Sequence, residues 1–460
     1  MSRFAPLLLL AGACATVPRD AGFADVRAIA RERIGKDLRW DRGGEEDAQV
    51  RERLRALLTA PLTADGAVEL ALLNNRGIQA VYEELGIGQA DLVQAGLLRN
   101  PTFGASVGFP TTSGSRLGSD FSITQDFLDI FTLPLRKSVA ERQFQQAKLR
   151  VGNAVLQLAA DVRSGYFTLL AAQHMTQMLR EISQGQDAVS ELAQRQREAG
   201  NINDLELALE IDAAQSARVA VARSDAQVLE ARERLARLLG VFGADTGFRI
   251  AELLPELPQT DPPLDGLETL AIEQRLDLAA AKSEREVLAS TLSAASVTRF
   301  FPAVQVGASV LRDPEGITTV GPTLSLELPI FDQGQARLAR LEAQTREATA
   351  RVEELAVQVR SQVRATRNRL VQGRAIVDFY RTSLLPLRER ILRQSQLHYN
   401  AMQIGLPQLV VARQNLTNAY REYVDALREY WTARSDLELA VGGGLSKRAT
   451  QAGAKDALHP

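Results

Sequence analysis

Four short segments of the chain alternate apolar and polar residues with a period of two. These segments are residues 102–109, 120–127, 304–310 and 320–328. In the first of them, Phe103 and Val107 fall on one side, while Thr102 and Ser106 fall on the other. Such alternation predicts four β-strands with one apolar face each, and the turn-rich residues within each pair predict two hairpins. A globular antiparallel sheet packed on a core has the same pattern, so the alternation alone leaves that alternative open.

Longer segments have apolar residues spaced by threes, fours and sevens, as on one side of an α-helix. They predict long helices over residues 134–199, 204–239, 332–400 and 406–441. Pro134 suits the first turn of the first helix, which would be about 100 Å long, and Pro386 predicts a kink in the third. Residues 204–239 carry two apolar seams, so we expect helical neighbours on both flanks, as in a hollow cylinder. A solvated coiled coil is the alternative.

The chain contains an internal duplication, because residues 71–240 align with residues 271–442 at an offset near 201 to 203. Each copy has a helix, two strands, a very long helix, a tight turn and another long helix. The predicted domains are a signal peptide (1–13), an N-terminal lipoprotein segment (14–61), a first repeat (62–252), a linker (253–264), a second repeat (265–442) and a disordered tail (443–460). The N-terminal segment is highly charged, so we expect it to lie on the surface.

The strands have about the length that a tilted strand needs to cross a bilayer. Four strands cannot close into a barrel, and open edges are excluded from lipid because unpaired backbone groups are costly there. Three copies of the chain would supply twelve strands, within the range of membrane barrels. The open edges therefore predict that several copies of the chain close one barrel together.

The composition excludes several function classes. The 460 residues include 54 Lys and Arg and 56 Asp and Glu, a formal net charge of -2, so the chain is not a basic nucleic-acid binder. The single cysteine excludes an intrachain disulfide, and the three histidines lack the spacing of a zinc site. No phosphate loop, nucleophile elbow or nucleotide fingerprint is present. We therefore expect a protein that is not an enzyme and has no cofactor.

The N-terminus has the features of a secretory signal. Arg3 is followed by the apolar run Leu7–Leu10 and by small residues directly before Cys14. The apolar run is too short for a transmembrane helix and is typical of a signal peptide. A cysteine after small residues resembles a bacterial lipobox, in which the thiol is acylated, so we predict lipid attachment at Cys14. A plain signal peptide with an incidental cysteine is the alternative.

Several stretches of sequence resemble the TolC family of outer-membrane efflux channels, in its lipoprotein branch. They are AGLLRNP and TRFFP before the first strand of each copy, ITQDFLDIFTLPLR and LSLELPIFDQGQAR leaving the second strand, and REAGNINDLEL at the first helical turn. The resemblance covers roughly residues 62–442. It implies a mixed α and β membrane protein: a trimer with a twelve-stranded β-barrel in the outer membrane, continuous with a long periplasmic α-helical barrel. It also implies docking on a periplasmic adaptor and an inner-membrane pump.

The two helical turns are the places where members of this family meet the adaptor. The residues predicted for adaptor docking are Gly200, Asn201, Ile202, Gln403, Ile404, Gly405 and Leu406. Gly200 and Gly405 suit the positive φ of a tight turn. The apolar residues of these turns would offer exposed contacts, and an exposed Ile-Gly-Leu segment is costly unless a partner covers it. A turn needed only for folding is the alternative.

The family often builds a constriction at the tunnel entrance from aspartates that follow the second turn. This chain has Gln414, Asn415 and Asn418 there, and no acid. Asp204 and Glu206, followed by Glu210 and Asp212, could supply a negative ring after the first turn instead. A solvated helix face is the alternative interpretation of these acids.

The resemblance implies the channel subunit of a tripartite efflux system, which conducts drugs, solvents or metal ions to the cell exterior. With four methionines and three histidines, none of them clustered, we do not expect a dedicated relay for soft metals. A peripheral coiled-coil scaffold lipoprotein and the outer-membrane duct of a polypeptide secretion system are the alternatives.

Overall fold

The computed structural model describes residues 16–43, 46–109, 111, 117–299 and 304–445. The predicted signal peptide, Cys14 and residues 446–460 lie outside the described residues. The chain divides into two compact units. The first, here called the sheet unit, comprises Met1–Asp25, Glu83–Val151 and Asp277–Glu354, and the second, the hairpin unit, comprises Val26–Tyr82, Gly152–Leu276 and Leu355–Pro460.

The helices and strands follow the same order twice. The N-terminal segment and the first repeat contain α1 (Phe23–Ile34), α2 (Glu46–Thr59), α3 (Ala64–Asn74), α4 (Arg76–Ala95), β1 (Thr102–Gly108), β2 (Gly118–Asp126), α5 (Leu128–Glu198) and α6 (Asp204–Leu239). The second repeat contains α7 (Leu267–Gln274), α8 (Leu276–Thr298), β3 (Val304–Arg312), β4 (Thr318–Leu326), α9 (Gln335–Phe379), α10 (Leu385–Asn400) and α11 (Leu406–Ala440). Among the described residues, none of the helices combines the length and apolar composition needed to pass through a bilayer.

The four strands form one antiparallel sheet in the order β1-β2-β3-β4. Phe121 pairs with Ala105 and Val310, and Ser122 pairs with Gly104 and Ser309, so the register keeps apolar residues on one face and polar residues on the other. The apolar face is exposed: Phe103 is 64%, Ile123 56% and Leu324 73% accessible. A globular sheet would bury this face against a core, so the described chain does not match that alternative.

The long helix α5 begins earlier than the sequence predicts, at Leu128, and Pro134 lies inside it. An acidic N-terminus fixes this start. Asp126 Oδ1 accepts a hydrogen bond from the Leu128 N–H (3.1 Å), and Asp129 in the first turn is buried and bound to Arg136 (2.7 Å). Carboxylates are favourable at helix N-termini, and a proline within the second turn removes only one backbone hydrogen bond.

The α-helix widens locally near Pro386, where the sequence predicts a kink. The chain between α9 and α10, Tyr380–Leu384, winds as a π-helix directly before this proline. There the N–H of Leu385 donates to the carbonyl of Tyr380, five residues back. Because Pro386 has no N–H to continue the α-helical ladder, the preceding turn widens.

Each repeat closes on itself at an equivalent glycine. Gly240 follows α6 with φ +70°, and Gly442 follows α11 with φ +84°. A Cβ on Gly240 would lie 2.9 Å from the carbonyl oxygen of Asn74, at the break between α3 and α4. A Cβ on Gly442 would lie 3.0 Å from the carbonyl oxygen of Gln274, at the break between α7 and α8. The duplication seen in the sequence is therefore also a duplication of backbone contacts.

The expectation that the N-terminal segment lies on the surface holds only in part, because most of its described residues are exposed or half-buried but some belong to the core. Val26 and Ala30, one turn apart on α1, are buried, as are Leu38 and Trp40. The ring of Trp40 lies 6.4 Å from that of Tyr82. The charged residues of α1, Asp25, Arg27, Arg31, Glu32 and Arg33, are not among its buried residues, so the helix is amphipathic and one face joins the core of the hairpin unit.

The linker lacks helix or strand but is fixed to the second repeat. Arg374 on α9 forms an ion pair with Asp261 (2.6 Å) and donates to the carbonyl of Pro258 (2.8 Å). Tyr430 on α11 donates to Asp261 (2.6 Å).

The C-terminal tail, predicted to start at residue 443, begins later in the structure, because Leu445 packs in the hydrophobic core beside α11.

Candidate functional site: the two helical turns

The first turn joins α5 to α6 and has the hydrogen bonds of a Schellman motif. The N–H of Gly200 donates to the carbonyl of Arg197 (3.0 Å), and the N–H of Asn201 donates to the carbonyl of Gln196 (2.8 Å). Gly200 is left-handed, with φ +76°. This motif ends a helix sharply and satisfies carbonyls that the helix leaves unpaired.

Helix α6 then begins with a capping box. The side chain of Asn203 accepts from the Glu206 N–H (2.9 Å), and the side chain of Glu206 accepts from the Asn203 N–H (3.1 Å). Asp204 pairs with Arg197 at the end of α5 (2.5 Å), and the hydrogen bond and charge of Arg197 lower the pKa of Asp204. Two of the acids considered for a negative ring are thus engaged in the turn itself.

The second turn, between α10 and α11, repeats the first at an offset of about 202 residues. The N–H of Met402 donates to the carbonyl of Tyr399 (2.9 Å), and the N–H of Gln403 donates to the carbonyl of His398 (2.8 Å). Met402 is left-handed, with φ +58°, and so corresponds to Gly200. The side chain of Gln403 also bonds to Nδ1 of His398.

The prediction of positive φ is confirmed for Gly200 and wrong for Gly405. Gly405 has φ -84° and ψ 165° and is the N-cap of α11, the position that Asn203 occupies for α6. The left-handed residue of a Schellman motif follows the C-cap, here Ala401, which places it at Met402, three residues before Gly405.

The turn residues differ in exposure. Gly200, Asn201, Gln403 and Gly405 are exposed, and Ile202 and Ile404 are half-buried. The expectation of an exposed apolar contact is wrong for Leu406, which is 4% accessible and packs inside the hairpin. Met402 is 94% accessible. The most exposed apolar side chain of the turns is thus one that the sequence analysis did not select.

A buried ion pair joins the two hairpins next to their turns. Glu210 on α6 is 3% accessible, and its Oε2 lies 3.3 Å from Nη1 of Arg413 on α11. Tyr399, near the end of α10, has a raised pKa. Its burial is the main cause, and the negative charges of Glu206 and Glu210 add to it. The acids after the first turn are therefore not all on a solvated face, because Glu210 is desolvated and paired.

The candidate constriction residues lie along one side of α11. Gln414 and Asn418 are exposed, and Asn415 is half-buried. Gln414 and Asn418 line a cavity of about 310 Å³ between α5, α6 and α11. Asp212, Arg413 and Arg421 also line it.

Within the part of the chain that the structure describes, no group of three or more His, Cys, Asp or Glu side chains could hold a metal ion.

Sequence reasoning missed Met402 and the pairing of Glu210. Methionine rarely adopts the left-handed conformation, so nothing in its type marks Met402 as a turn residue. The alignment of the repeats could have marked it, because an offset of 202 places it opposite Gly200. Arg413 is 203 residues from Glu210 in the chain, and only the packing of the two hairpins brings them together.

Comparison with known proteins confirms the resemblance to outer-membrane efflux channels. The family model described as "Outer membrane efflux protein" matches residues 67–241, within the first repeat. The cobalt-zinc-cadmium resistance protein CzcC of Cupriavidus metallidurans is 23% identical over 390 residues, which are 83% of this chain and 90% of CzcC. The probable outer membrane lipoprotein SilC of Salmonella typhimurium is 23% identical over 287 residues, which are 58% of this chain and 60% of SilC.

A solved structure extends the similarity to the fold. The CmeC outer membrane channel of Campylobacter jejuni superposes with a TM-score of 0.72 at 16% identity, covering 84% of this chain and 88% of CmeC. The fold class predicted from the sequence is therefore confirmed as that of the outer-membrane channels.

Proposed function

We propose, on the premise that this chain is an efflux channel subunit of the outer membrane efflux protein family, that its two helical turns bind a periplasmic adaptor. Three copies would form the outer-membrane duct of a tripartite system. The adaptor would join this duct to an inner-membrane pump, which supplies the energy. The channel itself would perform no chemistry.

The equivalence of the two turns is the observation that carries this proposal. Gly200 and Met402 have the same hydrogen-bonding pattern, and both are followed by an exposed amide side chain, Asn201 or Gln403. Three copies would present six such turns in alternating order. A partner with a repeated binding surface could then engage both kinds of turn, because they share one backbone shape.

The open edges of the sheet support the trimer. In the described chain β1 and β4 are the outer strands, and each pairs on one side only. In lipid both edges need a partner strand. Pairing of β1 with β4 of the next copy, repeated three times, satisfies every edge.

We propose metal cations as the first substrates to test, since the name of CzcC describes resistance to cobalt, zinc and cadmium. Drugs and solvents stay in the test as alternatives. For the constriction, we favour Gln414 and Asn418, because these side chains are exposed on α11, whereas Asp204 and Glu206 are engaged in the first turn. Asn415, half-buried, would support them.

We also propose that Cys14 carries the lipid anchor. Several acyl chains would hold the protein on the outer membrane, whereas one chain binds only marginally. Mass spectrometry of the mature N-terminus tests this directly. An unmodified cysteine in the wild-type protein would contradict the proposal, and the Cys14→Ser variant is the control that carries no acyl group.

The docking proposal is tested by complementing a strain that depends on this channel. We expect Gly200→Asp to abolish resistance to cobalt, zinc and cadmium salts, because an added carboxylate and a strained φ both alter the turn. The control is Asp245→Asn, a change in the exposed 3-10 helix that follows α6. Trimer content of the outer membrane is measured in parallel. Full resistance of the Gly200→Asp strain would overturn the docking proposal.

A further inference from the structure

The polar face of the sheet carries an asymmetric distribution of charge. In the register of the four strands, this face includes Asp120 and Asp126 on β2 and otherwise only uncharged residues. The uncharged residues are Thr102, Gly104, Ser106, Gly108, Gly118, Ser122, Thr124, Gln305, Gly307, Ser309, Leu311, Thr319, Gly321, Thr323 and Ser325. The strand arginine, Arg312, pairs with Ser119 and therefore lies on the apolar face.

The two aspartates have different surroundings. Asp126 lies at the end of β2, where its Oδ2 is 3.6 Å from Arg99, and Oδ1 caps the Leu128 N–H. Asp120 lies in the interior of its strand, between Ser106 on β1 and Leu311 on β3. Its Oδ1 is buried and has no hydrogen-bond partner among the described residues. Among the described residues no arginine or lysine forms an ion pair with Asp120, although Arg312 lines the same cavity at the end of the strands.

We propose that Asp120 makes the lumen of the barrel selective for cations. The inference rests on the proposed trimeric channel, in which the apolar face contacts lipid and the polar face lines the water-filled interior. Threefold symmetry then places three Asp120 carboxylates at one level. A ring of carboxylates in a pore enclosed by low-dielectric walls attracts cations and repels anions.

The position of this ring differs from that of a selectivity element at the helical turns. The stretch after the second turn has Gln414, Asn415 and Asn418 and no acid, and Asp204 after the first turn is paired with Arg197. Asp120 would therefore be the acid that selects exported ions, at the outer-membrane end of the path. Selection of cations there matches a substrate class of metal cations.

The test is the reversal potential of purified trimers in planar lipid bilayers under a gradient of KCl. We expect the wild-type channel to favour K⁺ over Cl⁻, and Asp120→Asn to lower the permeability ratio by about threefold or more. Asp120→Lys should favour Cl⁻. The matched control is Ser122→Asn, which adds an amide on the same face of the same strand without changing charge. The control should keep the wild-type ratio.

Salt dependence separates an electrostatic role from a structural one. The permeability ratio of wild type divided by that of Asp120→Asn should fall towards one at about 1 M salt, where the Debye length is about 3 Å. An unchanged ratio in Asp120→Asn at 0.1 M salt would overturn the selectivity proposal while leaving the channel intact. Assembled wild-type trimers that pass no ions would overturn the proposed channel itself, and the selectivity proposal with it.

Discussion

Oε2 of Glu210 and Nη1 of Arg413 lie 3.3 Å apart in a buried ion pair that links the hairpin of the first repeat to that of the second. Glu210 is almost fully buried, so Arg413 replaces contacts with water that its carboxylate has lost. We predict that Arg413→Ala destabilises the hairpin unit by about 3 kcal/mol, because a buried carboxylate loses its partner. Hydrogen exchange of residues 204–212 and 406–414 measures the effect as faster local opening.

The double variant Glu210→Gln with Arg413→Met is the control for this pair. It removes both charges and keeps the approximate volume of both side chains, so most of the protection should return. Exchange as fast in the double variant as in Arg413→Ala would mean that packing of the arginine, and not the charge pair, holds the hairpins together.

Gly200→Ala should lower the stability of the first turn by about 1 kcal/mol. Gly200 has φ +76°, which disfavours any residue with a Cβ, and a Cβ there would meet nothing within 4 Å. The cost is therefore backbone strain without a clash. The difference in unfolding temperature between Gly200→Ala and wild type, in detergent, measures it. An equal or higher unfolding temperature would contradict the left-handed conformation.

Met402→Gly should separate folding from docking at the second turn. The substitution relieves the strain of a left-handed methionine. Glycine also gives the unfolded chain more freedom, which offsets this gain, so the free energy of unfolding should stay within about 1 kcal/mol of wild type. It also removes a side chain that is 94% accessible. Binding to the adaptor, measured by titration of purified proteins, should weaken. Unchanged binding would exclude Met402 from the docking surface.

The contact of Asp261 with Arg374 and Tyr430 should make the attachment of the linker sensitive to acid. Burial raises the pKa of Asp261, but hydrogen bonds from Arg374 and Tyr430, together with the charge of Arg374, lower it more, so the net shift is downward. A carboxyl whose pKa is lower in the folded state stabilises the fold above its unfolded pKa of about 3.9, and this stabilisation disappears as the pH falls through the folded pKa.

Asp261→Asn should therefore lower the unfolding temperature at pH 7 and at pH 5 by the same amount. Below about pH 4 the difference from wild type should shrink, because the wild-type carboxyl becomes protonated. Unfolding temperatures of the two proteins across this pH range provide the measurement. A difference that stays constant below pH 3 would assign the effect to lost packing.

Much of the fold follows from patterns that are local in the sequence. Alternation along residues 102–109 predicted β1, and the helical period of residues 204–239 predicted α6 with its bounds, because Asn203 and Gly240 cap its two ends. The start of α5 was misplaced because Pro134 suits a first helical turn. The acids Asp126 and Asp129 fix the helix start instead, and their role depends on contacts with Arg99 and Arg136.

The site was less predictable than the fold. The position of both turns followed from the sequence, but Met402 takes a conformation that its residue type disfavours. Leu406, which looked like part of an exposed tip, became buried through contacts between helices. The pair of Glu210 and Arg413 depends on how two hairpins pack, and no local pattern encodes that distance.

We infer that three copies of this chain form one channel in the outer membrane. The native mass of the protein, extracted with detergent from separated inner and outer membranes, is the measurement that decides this. We expect a species of three chains in the outer-membrane fraction, because four strands with two open edges cannot persist alone in lipid. A water-soluble monomer or dimer, obtained without detergent, would contradict it and favour a peripheral scaffold.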